Sequence, residues 1–165
     1  MSFASTERAS QKPAIANQLH DEALRMADDS RMYFARNSKT DRAELGAIDR
    51  VLYTAESLRI STRLMHVISW TLVRKAVAAG EMSDEEAAKP ERQLEDLELC
   101  SASDPRDLRK LPRAVVILSH QSLNLYKRAM RLQQQMNDKQ EGDAEPHTSP
   151  VASMLETLEG ALEVC

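Results

Sequence analysis

The sequence predicts an all-α fold: an antiparallel three-helix bundle with a short helical crossover and flexible N- and C-terminal tails. Glycine and proline are scarce, with 4 and 6 among 165 residues, while residues that lose little side-chain freedom in a helix are plentiful. Aromatic residues make up only 4%, whereas sheets favour aromatic and β-branched side chains. Apolar residues recur at spacings of three and four along three long segments, which is the period of an amphipathic helix.

The first helix is predicted to follow a disordered leader, residues 1–12, which is polar and aperiodic. Pro13 can open the helix, because its missing N–H costs nothing in a first turn. The helix is predicted to end near Asn37. Its apolar face follows helical spacing through Ala16, Leu19, Ala23, Met26, Ser30 and Tyr33.

The second helix is predicted to be the longest, over residues 42–79. Asp41 and Glu44 have capping-box spacing at its start, and Gly80 suits the left-handed conformation that closes a helix. At a rise of about 1.5 Å per residue such a helix would span roughly 57 Å. Gly46 weakens its first turn, which favours a later onset.

A crossover and a third helix complete the predicted bundle domain, residues 13–137. Ser83 and Glu86 have capping-box spacing, and residues 91–109 are charged and weakly periodic. The third helix is predicted to start at Pro112 and to carry a heptad seam of Leu111, Val115, Leu118, Ser122, Leu125, Ala129, Leu132 and Met136. Residues 138–150 predict a disordered linker, and residues 151–165 an amphipathic C-terminal segment.

Composition argues against most catalytic and cofactor chemistry. The net charge of −4 comes from mixed acidic and basic residues, which disfavours general binding to nucleic acid. No histidine follows a carboxylate by three residues, as in di-iron bundles, and four scattered glycines cannot form a phosphate loop. We therefore predict no catalytic residue, no metal and no cofactor. The lack of a long apolar segment and of a cysteine framework indicates a cytoplasmic protein.

The second helix is apolar on two sides, although a three-helix bundle buries only one side of each helix. One stripe contains Ile48, Leu52, Ala55, Leu58, Met65, Leu72 and Ala76, and it is predicted to face the core. The opposite stripe, Ile60, Leu64 and Val67, is predicted to form a dimer or partner interface. The alternative is that the crossover folds back and covers it.

A basic stripe on the same helix predicts a partner-binding face for an acidic peptide. It consists of Arg59, Arg63, His66, Trp70 and Arg74, and Trp and Arg often dominate the energy of protein interfaces. The alternative is a solvated face whose arginines pair with Glu56 and whose Trp packs on the crossover. A different function, a helical regulator that binds nucleic acid, would use the same stripe.

The C-terminal segment carries an apolar stripe among acidic residues. Leu155, Leu158 and Leu162 share one side of a would-be helix, and the negative charge comes from Glu156, Glu159 and Glu163. The segment is predicted to dock weakly and reversibly on the basic stripe, because a short helix must become ordered as it binds. Plain disorder is the alternative.

Several distinctive segments lie in the second and third helices. They are Tyr-Thr-Ala-Glu-Ser-Leu-Arg-Ile-Ser-Thr-Arg-Leu-Met from Tyr53 to Met65, Ser69-Trp70, Val77 to Glu81, Leu111-Pro112 and Ser119 to Arg128. Over about residues 15–137 the sequence resembles the regulator of CtrA degradation (RcdA) family of alphaproteobacteria. The resemblance implies a three-helix bundle that forms a homodimer.

The resemblance also implies a function. It implies a cytoplasmic, non-enzymatic protein-binding adaptor, concentrated at a cell pole, that delivers protein cargo to the ClpXP protease in cell-cycle-regulated degradation. The expected partners are therefore proteins: the unfoldase of the protease, cargo, other adaptors and a second copy of this chain. Neither a membrane nor nucleic acid is an expected partner.

Overall fold

The computed structural model describes the backbone of residues 3–144 and the side chains of residues 13–138. All regular structure in this part of the chain is helical, which confirms the predicted all-α class. The α-helices are α1 (Phe3–Glu44), α2 (Ala47–Ala78), α3 (Asp84–Ala87), α4 (Pro105–Leu108) and α5 (Arg113–Ala144). Two 3₁₀ turns, Pro90–Arg92 and Glu98–Cys100, lie between α3 and α4. The chain forms two compact units, Met1–Gln134 and Gln135–Cys165, and the contacts described below lie within the first.

The first helix is longer than the sequence predicts at both ends. It starts at Phe3, so that Pro13 lies inside the helix, and it continues past Asn37 to Glu44. Asp41 is therefore a residue of α1 and not the cap of the second helix. Its carboxylate accepts hydrogen bonds from the hydroxyls of Tyr33, at 2.8 Å, and Tyr53, at 3.0 Å, which ties the end of α1 to α2.

The second helix begins at Ala47, directly after Gly46, as the weak first turn of the sequence suggested. It ends at Ala78, and Gly80 has the positive φ of 74° that glycine adopts at low cost after a helix. The third long helix extends to Ala144, beyond the predicted end near residue 137.

Small and branched apolar side chains fill the core between the long helices. The buried positions include Ala16, Leu19, Ala23, Ile60, Leu64, Val67, Val115, Leu125, Ala129 and Leu132. Leu118 departs from the predicted seam, because it is only half-buried and lines a groove that Met26 of α1 also lines.

Polar contacts link each pair of long helices. The His20 Nδ1 of α1 lies 2.8 Å from the Thr71 Oγ1 of α2. Arg128 of α5 donates to both carboxylate oxygens of Glu22 of α1, each at 2.9 Å. Arg63 of α2 donates to the Ser122 Oγ of α5 at 3.3 Å. The three helices therefore contact one another pairwise.

The crossover between α2 and α5 is held at several points. Ser83 accepts the N–H of Glu86, which is the predicted cap of α3. Further along, the Gln133 amide of α5 bonds both backbone groups of Leu94, accepting its N–H at 2.7 Å and donating to its carbonyl at 2.9 Å. The Tyr126 hydroxyl donates to the Glu95 carbonyl at 2.6 Å. These contacts fix an extended segment against α5.

Candidate protein-interaction surface

The predicted interface stripe of α2 lies in the core. Ile60, Leu64 and Val67 are all buried, so the prediction that a single copy of the chain leaves them unpartnered is wrong. The physical reason is that the buried side of α2 also carries polar groups, chiefly Glu56 and Arg63, which satisfy one another. The two predicted stripes set three apolar residues on this side against seven on the other, so apolar periodicity alone indicates the wrong side as the buried one.

Arg63 belonged to the predicted basic face, yet its side chain is 0% exposed. Its guanidinium donates to the carbonyls of Cys100, at 3.1 Å, and Ser101, at 2.5 Å. It also approaches the carboxylate of Glu56 at 3.4 Å. Burial lowers the pKa of the Arg63 guanidinium, while the neighbouring Glu56 carboxylate opposes the shift. A buried charge needs this kind of full coordination.

Glu56 completes this polar cluster between α2, the crossover and α5. Its two carboxylate oxygens accept hydrogen bonds from the hydroxyls of Ser119 and Ser103. Arg63 also donates to the Ser119 carbonyl at 3.3 Å. The cluster therefore fastens the 100–103 part of the crossover to the middle of α2.

The other members of the basic stripe are also in contact with the crossover or with α5. Trp70 is 2% exposed, and Arg74 donates to the Ala87 carbonyl at 3.0 Å. The side chain of Arg59 reaches the Ser103 hydroxyl at 3.5 Å, and the His66 ring lies 6.4 Å from that of Tyr126. Arg63 and Trp70 are buried and Arg59, His66 and Arg74 are half-buried, so the stripe is not an open face. The Arg63–Glu56 pair is one that the alternative expected, but it is buried and does not lie on a solvated face.

The outer side of α2 is exposed and apolar. Four large side chains recur there at intervals of seven: Val51 is 68% exposed, Leu58 55%, Met65 62% and Leu72 51%. Ile48, one turn earlier, is 76% exposed. The other exposed positions between residues 51 and 72 are Thr54, Ser61 and Ser69. No exposed residue of this 51–72 face carries a charge. We call it the apolar face of α2.

The outer side of α1 is different, because charged residues dominate it. Its exposed positions include Asp21, Arg25, Asp28, Asp29, Arg31, Arg36 and Lys39. A helix side that faces only water is usually polar in this way. The apolar face of α2 departs from this pattern, and contiguous exposed apolar surface is typical of protein-interaction sites.

The predicted core stripe contains Leu58, Met65 and Leu72, so this surface was not predicted. The heptad spacing of its large side chains was visible in the sequence. So were the smaller residues one turn before these three, which are Ala55, Thr62 and Ser69. What the sequence could not show was the direction of this stripe, which depends on distant partners of Arg63.

The remaining predictions concern the C-terminal docking residues, metal binding and membrane spanning, and only some of them fall in the described part of the chain. The predicted docking residues Leu155, Leu158 and Leu162 lie outside it. Within it, no group of three His, Cys, Asp or Glu side chains is placed to hold a metal ion. None of the described helices combines the length and the apolar character that a membrane span requires.

A family model matches residues 7–162, nearly the whole chain, and its description is "Protein of unknown function (DUF1465)". The chain belongs to this family. Neither a curated protein nor a solved structure matches it. The matched range includes all of α2 and the whole crossover, so both the apolar face and the buried Glu56–Arg63 cluster lie inside the family's domain.

Proposed function

We propose that this protein is a non-enzymatic, protein-binding adaptor that helps to deliver protein cargo to the ClpXP protease in cell-cycle-regulated degradation. The observation that carries the protein-binding part of the proposal is the uncharged, exposed apolar face of α2, and the binding of cargo rests on the family resemblance. The resemblance of the second and third helices to the RcdA family supplies the protease and the cell-cycle role. The family shown for the chain is compatible with this proposal.

The geometry of the face favours a partner that is itself a helix. From Val51 to Leu72 the face is about 32 Å long at a rise of about 1.5 Å per residue. Its heptad spacing is the one with which two helices interlock along a seam. The smaller Ala55, Thr62 and Ser69, each one turn before a large residue, leave holes for the large side chains of a partner helix.

A second copy of the chain is the partner that we propose for this face. Large and smaller residues alternate along one line, so two copies of α2 that run in opposite directions can place the large side chains of each in the holes of the other. Such an isologous contact closes a dimer and leaves no open end. The three long helices would form one bundle in each copy, with the pair of α2 helices at the centre.

An adaptor of this kind needs no chemistry of its own. Binding cargo and protease at the same time raises the local concentration of cargo at the protease, which accelerates degradation without any new catalytic group. Binding to nucleic acid has less support, since Arg63 and Trp70 of the basic stripe are buried and Arg59, His66 and Arg74 are half-buried. The apolar face of α2 between residues 51 and 72 has no exposed positive charge for phosphate groups.

The test combines assembly and activity in the full-length chain. Leu58→Glu and Leu72→Glu should each give a folded monomer in sedimentation velocity, because a buried carboxylate in the seam is costly. The matched control is Leu24→Glu on α1, where the wild-type leucine is 47% exposed, and this variant should keep the wild-type mass. If both α2 variants keep the wild-type mass, the dimer does not form through this face.

The adaptor role is tested separately, with the wild-type chain. Native co-purification with the wild-type chain should capture cargo, and purified ClpXP should degrade that cargo faster when the wild-type chain is added. An unchanged degradation rate with the wild-type chain would overturn the adaptor proposal. That result would not affect the conclusion about the dimer, which sedimentation tests.

A further inference from the structure

A cleft of about 380 Å³ lies between residues 96–101 of the crossover and the middle of α5. Its apolar part is lined by Cys100 and Tyr126, which are buried, and by Leu123 and Met130. The last two are only half-buried, so they keep apolar surface that a ligand can cover, and a methionine adapts its shape readily. A cleft of this size accommodates one or two side chains of a ligand. The described residues that line it include none from the apolar face of α2.

The walls of this cleft are already fixed in the free protein. The Tyr126 hydroxyl donates to the Glu95 carbonyl at 2.6 Å, which ties the α5 wall to the crossover. On the crossover wall, Arg63 donates to the carbonyls of Cys100, at 3.1 Å, and Ser101, at 2.5 Å. A ligand would therefore find both walls in place, and little binding free energy would be lost in ordering them.

Two cations of α5, Lys127 and Arg131, line the same cleft and are exposed. They are four residues apart, so they lie one turn apart on the same side of the helix. The Arg131 Nε donates to the Lys127 carbonyl at 3.3 Å, which holds the guanidinium along the helix. Asp96 is the one acidic residue among the described lining residues, so the charge beside the apolar part is positive on balance.

Acidic residues are absent from this part of the sequence. Asp and Glu make up 26 of the 165 residues, about one in six, yet none occurs from position 108 to 137. The basic residues of this stretch are Arg109, Lys110, Arg113, Lys127, Arg128 and Arg131. The exposed positions of α5 between 113 and 134 are therefore basic or neutral. Among the long helices, α1 exposes charges of both signs and α2 exposes none between 51 and 72, so α5 alone presents several exposed charges of one sign.

We propose that this cleft is a second protein-binding site, which takes an acidic peptide segment of another protein that carries apolar anchor side chains. An apolar side chain enters beside Leu123 and Met130, and flanking Asp or Glu side chains bind Lys127 and Arg131. Buried anchors supply most of the affinity of such sites, and rim charges supply selectivity. The inference rests on the proposed function only in that the protein binds other proteins, and it does not involve the dimer seam.

Nucleic acid is the other polyanion that a basic helix side can bind. Its affinity comes mainly from phosphate contacts, which would leave the apolar part of the cleft unused. The Asp96 carboxylate, which also lines the cleft, would repel phosphate groups. The combination of apolar and basic side chains therefore favours an acidic peptide, and DNA serves as a competitor in the test.

The test uses the full-length chain and three synthetic peptides of equal length. One alternates Glu with Leu, one alternates Glu with Ser, and one alternates Lys with Leu. Affinity is measured by fluorescence anisotropy of the labelled peptides. The position of binding is measured by NMR of the methionine methyl groups. The chain has eight methionines, and the signal of Met130 is identified as the one that is missing from the Met130→Leu variant.

The Glu-Leu peptide should bind and shift the methyl signal of Met130, while the other two peptides should bind at least about tenfold more weakly. Lys127→Gln with Arg131→Gln should weaken binding of the Glu-Leu peptide about three- to tenfold, since each exposed ion pair contributes modestly. The matched control is Arg36→Gln with Lys39→Gln, which removes one exposed arginine and one exposed lysine of α1 and should leave the affinity unchanged.

Four results would overturn the proposal. The first two are no binding of the Glu-Leu peptide and binding without a shift of the Met130 signal. The third is equal weakening by the control pair, which would indicate general attraction to basic side chains. The fourth is a short DNA duplex that displaces the peptide, binds more tightly and shifts the same methyl signal, which would make the cleft part of a nucleic-acid surface.

Two further full-length variants separate this proposal from its neighbours. Residues 151–165 are themselves acidic and contain leucines, but Glu156→Gln with Glu159→Gln and Glu163→Gln should leave the affinity for the Glu-Leu peptide unchanged. An affinity more than about threefold higher would indicate that the chain's own segment occupies the cleft, and it would overturn the proposal of an external partner. Leu58→Glu, which tests the dimer, should bind the peptide as the wild type does, so each proposal can fail without the other.

Discussion

Both sides of α2 depart from the pattern of an ordinary surface helix, which is apolar inside and polar outside. The inner side buries the charged pair of Glu56 and Arg63, together with Thr71. The outer side exposes Leu58 and Met65 and carries no exposed charge between residues 51 and 72. The inner charges are stable because carbonyls and hydroxyls of the crossover and α5 surround them. No described residue of the chain surrounds the outer side in this way, and this contrast is the basis of the proposed partner contact.

The largest expected effect concerns the inner side. Arg63→Met should lower the free energy of unfolding by about 3–5 kcal/mol, because it leaves the buried Glu56 carboxylate without its counter-charge. The matched control is Arg59→Met, which removes one 3.5 Å contact to Ser103 and should cost less than about 1 kcal/mol. Urea denaturation of both variants measures the difference. Equal costs would mean that the buried pair does not fasten the crossover.

A second comparison uses the same substitution on opposite sides of the helix. Leu64→Ala should cost about 2–5 kcal/mol, because it opens a cavity in the core. Leu72→Ala should change the stability of the dilute monomer by less than about 0.5 kcal/mol, since a surface position has little packing to lose. Denaturant titration at low protein concentration measures both. A large cost at Leu72 would place the outer face in contact with the chain's own residues.

The same contrast shows how far the sequence can predict this structure. In α5 a single apolar stripe identified the buried side, and Val115, Leu125 and Ala129 are indeed buried. In α2 there are two apolar stripes. Periodicity shows which residues share a side of a helix, but it does not show which side is buried. The deciding contacts, from Arg63 to the carbonyls of Cys100 and Ser101, join residues 37 and 38 positions apart. No local pattern contains them.

Local chemistry was predicted better than long-range pairing. Ser83 caps α3 as its spacing to Glu86 suggested, because a capping box involves only neighbouring residues. Asp41 has the same capping-box spacing to Glu44, but its carboxylate accepts hydrogen bonds from the hydroxyls of Tyr33 and Tyr53 instead. Its role could not be predicted, since Tyr53 lies on another helix.

The smallest expected effect is a pH dependence from His20, on the α1 side of the junction with α2. Burial lowers the pKa of His20 below the ordinary value of 6.5, the Lys75 charge lowers it further, and Asp21 opposes the shift. The Thr71 hydroxyl lies 2.8 Å from the Val67 carbonyl and 2.9 Å from the Ile68 carbonyl. It donates to these carbonyls, so it accepts the Nδ1–H of a neutral imidazole.

The sign of the effect follows from the lowered pKa. The unfolded chain binds a proton at His20 more readily than the folded chain, so stability is complete above about pH 6.5 and decreases as the pH falls toward the lower folded value. We expect a loss of less than about 1 kcal/mol between about pH 7.5 and about pH 5.5. His20→Gln keeps a side-chain N–H for Thr71 but does not titrate, so its urea midpoint should change less over this range. If the variant and the wild type lose stability in parallel, the acid sensitivity arises elsewhere, and the His20–Thr71 contact is equally stable in both protonation states.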